Sequence, residues 1–231
     1  MYFAKLTGGM KPGIMGAKRL PAAEDFSLPI RGIPFWLRWF GISLMLILTP
    51  SFSWAADQPR DQTRVHGVRV TVPVESIVID DGDTILIQWE GEPVEVVRIL
   101  GIDTPETRHI KHNIPFDQPF GPEATAFIRG VFSMAERVEL LRASTLDPYD
   151  RTLGYVFVNG KNYSVLILTA RLAVETVSVF GDNGFPDEAA ACLAAAAEAV
   201  PVPFESPHLY RRRMREVSQQ MRAEGLLPAK E

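Results

Sequence analysis

Two motifs, each at the end of an apolar run, contain the residues whose types and spacing could do chemistry. The first is DGDT at residues 81–84, and the second is RILGIDTPE at residues 98–106. If both lie at strand ends, they bring several carboxylates and an arginine close together. Like charges a few ångströms apart repel and raise each other's pKa, so the cluster is costly without a positively charged ligand. A divalent cation would remove that cost.

The ligand types in these motifs indicate which cation it would be. Oxygen ligands without His or Cys favour calcium or magnesium over zinc or copper. Arg98 cannot bind a cation, but its planar guanidinium suits a pair of phosphate oxygens. A metal, an arginine and a further acid together indicate phosphodiester chemistry. The alternative for Asp83 and Asp103 is that each caps backbone N–H groups of a turn, a common role of Asp beside Gly.

Four motifs occur in order along the chain: IDDGDT at 79–84, VRILGIDTPET at 97–107, FGPEATAF at 120–127 and YDRTLGY at 149–155. Looser matches follow at residues 171–173 and 215–226. In these motifs the chain resembles the staphylococcal nuclease (thermonuclease) family, over about residues 66–227. The resemblance implies an α+β fold: a five-stranded OB-fold β-barrel with about three helices.

The resemblance also implies a metal site. Asp83, Asp103 and the backbone carbonyl of Thr104 match the family's metal ligands, and calcium is the expected cation, ahead of magnesium. Asp81 matches an acid that lies near the metal and supports the ligands without binding the cation itself.

The catalytic residues implied by the resemblance are Arg98, Glu106 and Arg151. Glu106 matches the acid beside the attacking water, described as the general base. Arg98 and Arg151 match two phosphate-binding arginines, and an arginine inside an apolar strand such as residues 96–100 needs a partner for its charge. Tyr149 matches a residue that stacks on or hydrogen-bonds to the terminal nucleotide.

Two departures from the family pattern concern substrate binding rather than the chemistry of the site. Asp150 stands where the family usually has Gly, and it puts a negative charge beside Arg151. In the strand predicted after residues 172–173, Val177 and Val179 stand where some members have a stacking tyrosine. The basic run at residues 211–213 is interpreted as the solvated face of the last helix rather than a nucleic-acid patch.

The secondary-structure pattern agrees with an OB-fold. A helix is predicted between the third and fourth of five strands, which is the OB-fold order. The strands are expected at residues 67–79, 84–89, 94–101, 138–141 and 154–158, and the helices from residue 121, at 163–171 and at 207–224. An Ala-rich helical insert at about 181–206 is predicted to pack on the domain or on a partner.

Residues 1–55 are predicted to be an N-terminal extension and signal peptide. The uncharged run at about residues 39–48 follows Arg31 and Arg38, and Ser-Trp-Ala precedes a cleavage point after Ala55. The alternative is an uncleaved membrane anchor. The mature protein is therefore expected to be secreted or periplasmic without stable membrane association, or membrane-anchored if the segment stays.

The charge balance excludes a broadly basic nucleic-acid binder. The 231-residue chain carries 24 basic and 28 acidic residues. Removal of residues 1–55 would leave 18 basic and 26 acidic residues, a net charge of −8. A protein that neutralises many phosphates is usually basic, so binding is expected to depend on a local site.

These observations predict an exported, calcium-dependent phosphodiesterase, an endonuclease or exonuclease of the thermonuclease type. It would act as a monomer on DNA and RNA, preferably single-stranded, with little sequence preference, and by resemblance it would break the P–O5′ bond. One alternative is a non-catalytic OB-fold module that binds nucleic acid or protein. A second is an interaction protein that uses the Ala-rich insert.

Overall fold

The computed structural model describes residues 60–229. The predicted extension and signal peptide, residues 1–55, lie outside the described residues. Within residues 60–229, no helix combines the length and apolar character needed to cross a bilayer.

The described chain has the predicted α+β class with an OB-fold domain. Its strands are β1 (Arg69–Val72), β2 (Ile77–Ile79), β3 (Thr84–Ile87), β4 (Glu95–Ile99), β5 (Ile102–Asp103), β6 (Val138–Leu146), β7 (Thr152–Val158), β8 (Lys161–Asn162) and β9 (Val174–Glu175). Its helices are α1 (Gly121–Ser133), α2 (Tyr163–Thr169), α3 (Val177–Phe180), α4 (Pro186–Glu198) and α5 (Pro207–Ala223). The described residues thus form five helices where about three were expected.

The main sheet is not closed by hydrogen bonds between its two end strands. Its strand order is β1-β6-β7-β4-β3-β2, with β8 on β7, while β5 and β9 form a separate pair. β4 and β7 run parallel, and the other pairs are antiparallel. The two ends of the sheet, β1 and β2, are consecutive pieces of the predicted strand at 67–79. Pro73, which lacks an N–H, and a 3-10 turn at Val74–Ser76 separate them, so the expected closed barrel is an open one.

The Ala-rich insert packs on its own domain. α4 contacts α2, and its small inward-facing side chains, Ala189 and Cys192, belong to the main hydrophobic core. Small residues allow close approach, so this helix adds to the core although its stripe is weakly apolar.

The segment after residues 172–173 differs from the expected strand. Only Val174 and Glu175 form a strand, paired with β5, and the chain then turns into α3. Val177 is therefore a buried helical residue, and Val179 is an exposed one. Neither lies in a strand, so the predicted comparison with a stacking position is wrong for this chain.

A buried ion pair crosses the sheet. The guanidinium of Arg142 on β6 donates to both carboxylate oxygens of Glu95 on β4, at 2.7 and 2.8 Å. Thr152 and Trp89 also donate to Glu95. Burial by itself would raise the pKa of Glu95, but these donors outweigh burial, and the pKa of Glu95 is lowered.

Replacing Glu95 should destabilise the domain in a pH-dependent way. Glu95→Gln leaves Arg142 buried without a counter-charge, so we expect a loss of about 3 kcal/mol or more in the free energy of unfolding at neutral pH. Because the folded-state pKa of Glu95 is lowered, its contribution is fully present above its unfolded pKa and is lost as pH falls through the folded value. Urea unfolding at a series of pH values from neutral to well below the unfolded pKa of Glu95 measures both effects. Glu90→Gln, at an exposed position, is the control, and equal stabilities of the two variants would contradict the assignment.

The first residue of α1, Gly121, packs against the backbone of Glu106. A β-carbon on Gly121 would overlap the carbonyl oxygen of Glu106 and lie 2.9 Å from its carbonyl carbon. Both atoms belong to the backbone, so neither can move aside cheaply.

We therefore expect Gly121→Ala to cost about 1–3 kcal/mol, the usual effect of overpacking. Gly130 lies in the same helix, and a β-carbon added there would meet open space, so Gly130→Ala should stabilise by about 0.5–1 kcal/mol. Thermal unfolding of the two variants checks the difference in sign. A stabilising Gly121→Ala would show that α1 does not press against residue 106.

Candidate functional site

The two predicted metal-binding aspartates meet because of strand pairing and one glycine turn. Thr84 lies opposite Arg98 in the β3–β4 ladder, so Asp83 stands at the end of β3 beside that arginine. Gly101, with φ +80°, then reverses the chain from β4 into β5. This conformation favours glycine, and the reversal returns Asp103 to the same place.

Arg98 links the two carboxylates. Its Nη1 forms an ion pair with Asp83 Oδ1, and its Nη2 donates to Asp103 Oδ1 at 2.8 Å. Both aspartates are buried, with 3% and 6% of their surface exposed. A single guanidinium thus holds two buried negative charges together.

The surrounding backbone fixes Asp83 more firmly. Thr104 donates to Asp83 Oδ2 through its N–H at 2.8 Å and through its hydroxyl at 2.9 Å. The preceding turn is fastened from α2, where the Tyr163 hydroxyl donates to the Gly82 carbonyl at 2.8 Å. Asp81 stays inside this turn and accepts the Asp83 N–H. The predicted ligands Asp83, Asp103 and Thr104 and their neighbour Asp81 are therefore contiguous.

Glu106 is positioned by a glutamine that the sequence analysis did not single out. Gln118 is fully buried and accepts the Glu106 N–H, while its own N–H donates to the Glu106 carbonyl at 2.8 Å. Its side-chain amide also donates to the Glu205 carbonyl, two residues before α5. Gln118 therefore ties the segment of Glu106 to the beginning of the last helix.

The last helix contributes a second guanidinium to the cluster. Arg211 donates to Asp103 Oδ1 at 3.0 Å and to Asp103 Oδ2 at 2.9 Å, and it also donates to Glu106 Oε1. The prediction that residues 211–213 form only a solvated face is therefore wrong for Arg211. Arg212 is exposed, and Arg213 pairs with Glu205, as expected of surface residues.

A sequence signal for Arg211 exists in the helical periodicity. Arg211 lies four residues after Pro207, three before Met214 and seven before Ser218, and all three are buried. These spacings place it on the buried stripe of α5, where a charged residue needs a partner. Gln118, in contrast, lies in an irregular loop where no periodicity marks it.

The cluster has more negative than positive charge. It contains four carboxylates and two guanidiniums, so two negative charges are in excess. The carboxylates are those of Asp81, Asp83, Asp103 and Glu106, and the guanidiniums are those of Arg98 and Arg211. Burial raises the pKa of Asp81, and Arg98 opposes the shift. Burial also raises the pKa of Glu106; Arg211 opposes this, and the charge of Asp103 adds to it.

The excess charge and the donor types fit a hard divalent cation. Asp83 and Asp103 offer carboxylate oxygens within reach of one guanidinium, and two uncompensated charges match one divalent ion. In residues 60–229, however, no three or more His, Cys, Asp or Glu side chains converge in a ready-made metal cluster. The carboxylates are instead engaged by arginines.

Arg151 and Tyr149 lie in the turn between β6 and β7, beside the cluster but not in contact with its carboxylates. Arg151 Nε donates to Asp147 Oδ2 at 2.7 Å, and the Arg151 guanidinium lies 5.6 Å from the Tyr149 ring centre. Tyr149 is 79% exposed and lines a surface cavity of about 340 Å³.

Asp150 pairs with a residue other than its neighbour Arg151. It forms an ion pair with Arg60, and its backbone adopts a φ of +64°, a conformation that favours the glycine usual in the family pattern. The departure at residue 150 is therefore accommodated by a partner outside the site.

Part of the chain is similar in sequence to known proteins. Residues 96–199 match the family described as "Staphylococcal nuclease homologue". A thermonuclease of Staphylococcus intermedius is 39% identical over 94 residues, which cover 40% of this chain and 53% of that protein. A thermonuclease of Staphylococcus hyicus is 36% identical over 98 residues, which cover 42% and 55%.

A third relative, the SPbeta prophage-derived endonuclease YokF of Bacillus subtilis (strain 168), is 35% identical over 94 residues, covering 40% of this chain and 30% of that protein. The chain spans about half the length of the two thermonucleases it matches. The matched residues contain Arg98, Asp103 and Glu106, which are half of the charged cluster, whereas Asp81, Asp83 and Arg211 lie outside them. Residues 96–199 of this chain are therefore similar to the staphylococcal nuclease homologues.

Proposed function

We propose that this protein is an exported, calcium-dependent nuclease that hydrolyses phosphodiester bonds of DNA and RNA with little sequence preference. The observation that carries the proposal is the buried cluster in which Arg98 holds Asp83 and Asp103 side by side, next to Glu106. Further support comes from relatives that are named thermonuclease and endonuclease. Export rests on residues 1–55 and predicts a secreted or periplasmic protein.

The cation would be held by Asp83, Asp103 and the Thr104 backbone carbonyl. These are hard oxygen donors, and a flexible set of this kind suits calcium better than magnesium, which demands a near-ideal octahedron. When bound, the cation would stabilise negative charge on the phosphate and lower the pKa of water. Asp81 would keep Asp83 oriented through the turn hydrogen bond.

Glu106 would accept the proton from the attacking water. Its carboxylate lies at the edge of the cluster, and its backbone is fixed on both sides by Gln118. A raised pKa favours this role, because a carboxylate with a higher pKa takes a proton more readily. The water would attack phosphorus and the P–O5′ bond would break, leaving a 3′-phosphate on one fragment and a 5′-hydroxyl, protonated from solvent, on the other.

Arg98 and Arg151 would bind the phosphate oxygens and stabilise the additional charge of the transition state. Arg98 is already in the cluster, whereas Arg151 would exchange Asp147 for the phosphate. The exposed ring of Tyr149 is free to stack on a nucleotide base. Recognition through phosphate and stacking carries little base information, so weak sequence preference and a preference for single strands follow.

Glu106→Gln should slow hydrolysis and leave the fold intact. The amide keeps the size of the side chain but cannot accept the proton, so we expect kcat to fall by about 10²-fold or more. The measurement is the initial rate on single-stranded DNA with calcium, with circular dichroism as the check of folding. Glu216→Gln, an exposed position on α5, is the matched control. An unchanged kcat in Glu106→Gln would remove this residue from the mechanism.

Activity should depend on the cation, while the fold should not. Calcium is expected to support hydrolysis better than zinc, because the site offers only hard oxygen donors. Chelation should abolish hydrolysis and leave circular dichroism unchanged, since the hydrophobic core is separate from the site. The assay compares calcium, zinc and chelator on the full chain with single-stranded DNA. Cleavage that persists under chelation would contradict the metal mechanism, and DNA binding without cleavage under every condition would favour a non-catalytic binding module.

A further inference from the structure

Arg211 occupies an unusual position for a residue in a basic run on a helix. Its guanidinium is bidentate to Asp103 and also contacts Glu106, so it joins the two carboxylates that the proposed function uses as metal ligand and general base. Burial disfavours its charge, but the two carboxylates outweigh burial and raise the pKa of Arg211. It is thus a permanent charge in the centre of the site.

The helix that carries Arg211 is firmly docked. The Tyr210 hydroxyl donates to the Phe116 carbonyl at 3.0 Å, and the Ser218 hydroxyl donates to the Asn113 carbonyl at 3.0 Å. Tyr210 and Met214 pack on Ile114 in a small apolar cluster. Arg211 directly follows Tyr210 and lies about one turn before Met214, so the packing of α5 sets the direction of its side chain.

A divalent cation and Arg211 need the same oxygens. Arg211 uses both carboxylate oxygens of Asp103, and a cation bound to Asp103 would repel a guanidinium placed against the same carboxylate. Glu106 must also be free of Arg211 to take a proton at full strength, because an adjacent positive charge lowers the basicity of a carboxylate.

We propose that Arg211 takes the place of the cation while the metal is absent, and that cation binding releases it to serve as a third phosphate-binding arginine. The inference rests on the proposed function. A displaced guanidinium needs a new anion, and about a third of the Arg211 side chain (32%) is exposed at the site, where a phosphate can reach it. Three arginines, Arg98, Arg151 and Arg211, would then surround the substrate phosphate, which compensates for the acidic character of the chain.

The test uses the full chain with Arg211→Gln and Arg211→Lys, and with Arg212→Gln as the matched control from the exposed face of the same helix. Calcium binding without DNA is measured by isothermal titration calorimetry. Hydrolysis of single-stranded DNA at saturating calcium gives KM and kcat. Thermal unfolding checks that each variant is folded. If Arg211→Gln is too unstable to assay, the same measurements are made on Arg211→Lys.

The expected result is two effects of opposite sign. Arg211→Gln removes the competitor, so calcium should bind about 10-fold more tightly, and it removes a phosphate contact, so KM should rise about 10-fold. Arg211→Lys keeps the positive charge but loses the planar guanidinium that can bind two oxygens. It should therefore raise KM, and its gain in calcium affinity should be smaller than that of Arg211→Gln. Arg212→Gln should change neither quantity.

A purely structural role for Arg211 would weaken calcium and DNA binding together, and that result would overturn the inference. Variants at residues 211 and 212 that behave alike would overturn it as well, while leaving the proposed nuclease intact if the parent chain binds calcium and cleaves DNA. A parent chain that does neither would overturn both.

Discussion

The clustering of like charges is the constraint on which the site depends. Asp83 and Asp103 are almost fully buried and would repel each other, and their proximity is tolerable because the Arg98 guanidinium lies between them. The β3–β4 register, the turn at Gly101 and the Thr104 hydrogen bonds to Asp83 all serve to hold this arrangement. Because the fold holds these carboxylates close together, the site attracts positive charge, and either a metal cation or a guanidinium can neutralise it.

The rest of the domain supplies rigidity to that cluster from three directions. α2 fastens the turn before Asp83 through the Tyr163 hydroxyl, and α1 presses Gly121 against the Glu106 backbone. α5 closes the third side and is linked to Glu106 through Gln118. The Ala-rich α4 packs against α2, and its Cys192 sulfur lies next to Gly101, so it supports both a helix and the turn before Asp103.

The sequence was sufficient for the fold class and for the grouping of the charged residues, because local motifs at strand ends meet when the strands pair. Asp83, Arg98 and Asp103 are such a case. It was insufficient where distant segments decide the outcome. Arg211 reaches Asp103 only through the docking of α5, and Gln118 acts through backbone groups that no periodicity reveals. The strand expected near Val179 does not form, also because of a distant segment: β5 pairs with only two residues, Val174 and Glu175, before the chain turns into α3.

The most direct test of the account is a crystal structure of the calcium-saturated protein with an anomalous difference map. We predict one calcium ion bound by the carboxylates of Asp83 and Asp103, with the guanidiniums of Arg98 and Arg211 withdrawn from the oxygens that bind the ion. Crystals grown in saturating calcium that show no ion between these carboxylates, with Arg98 and Arg211 still bridging them, would contradict it.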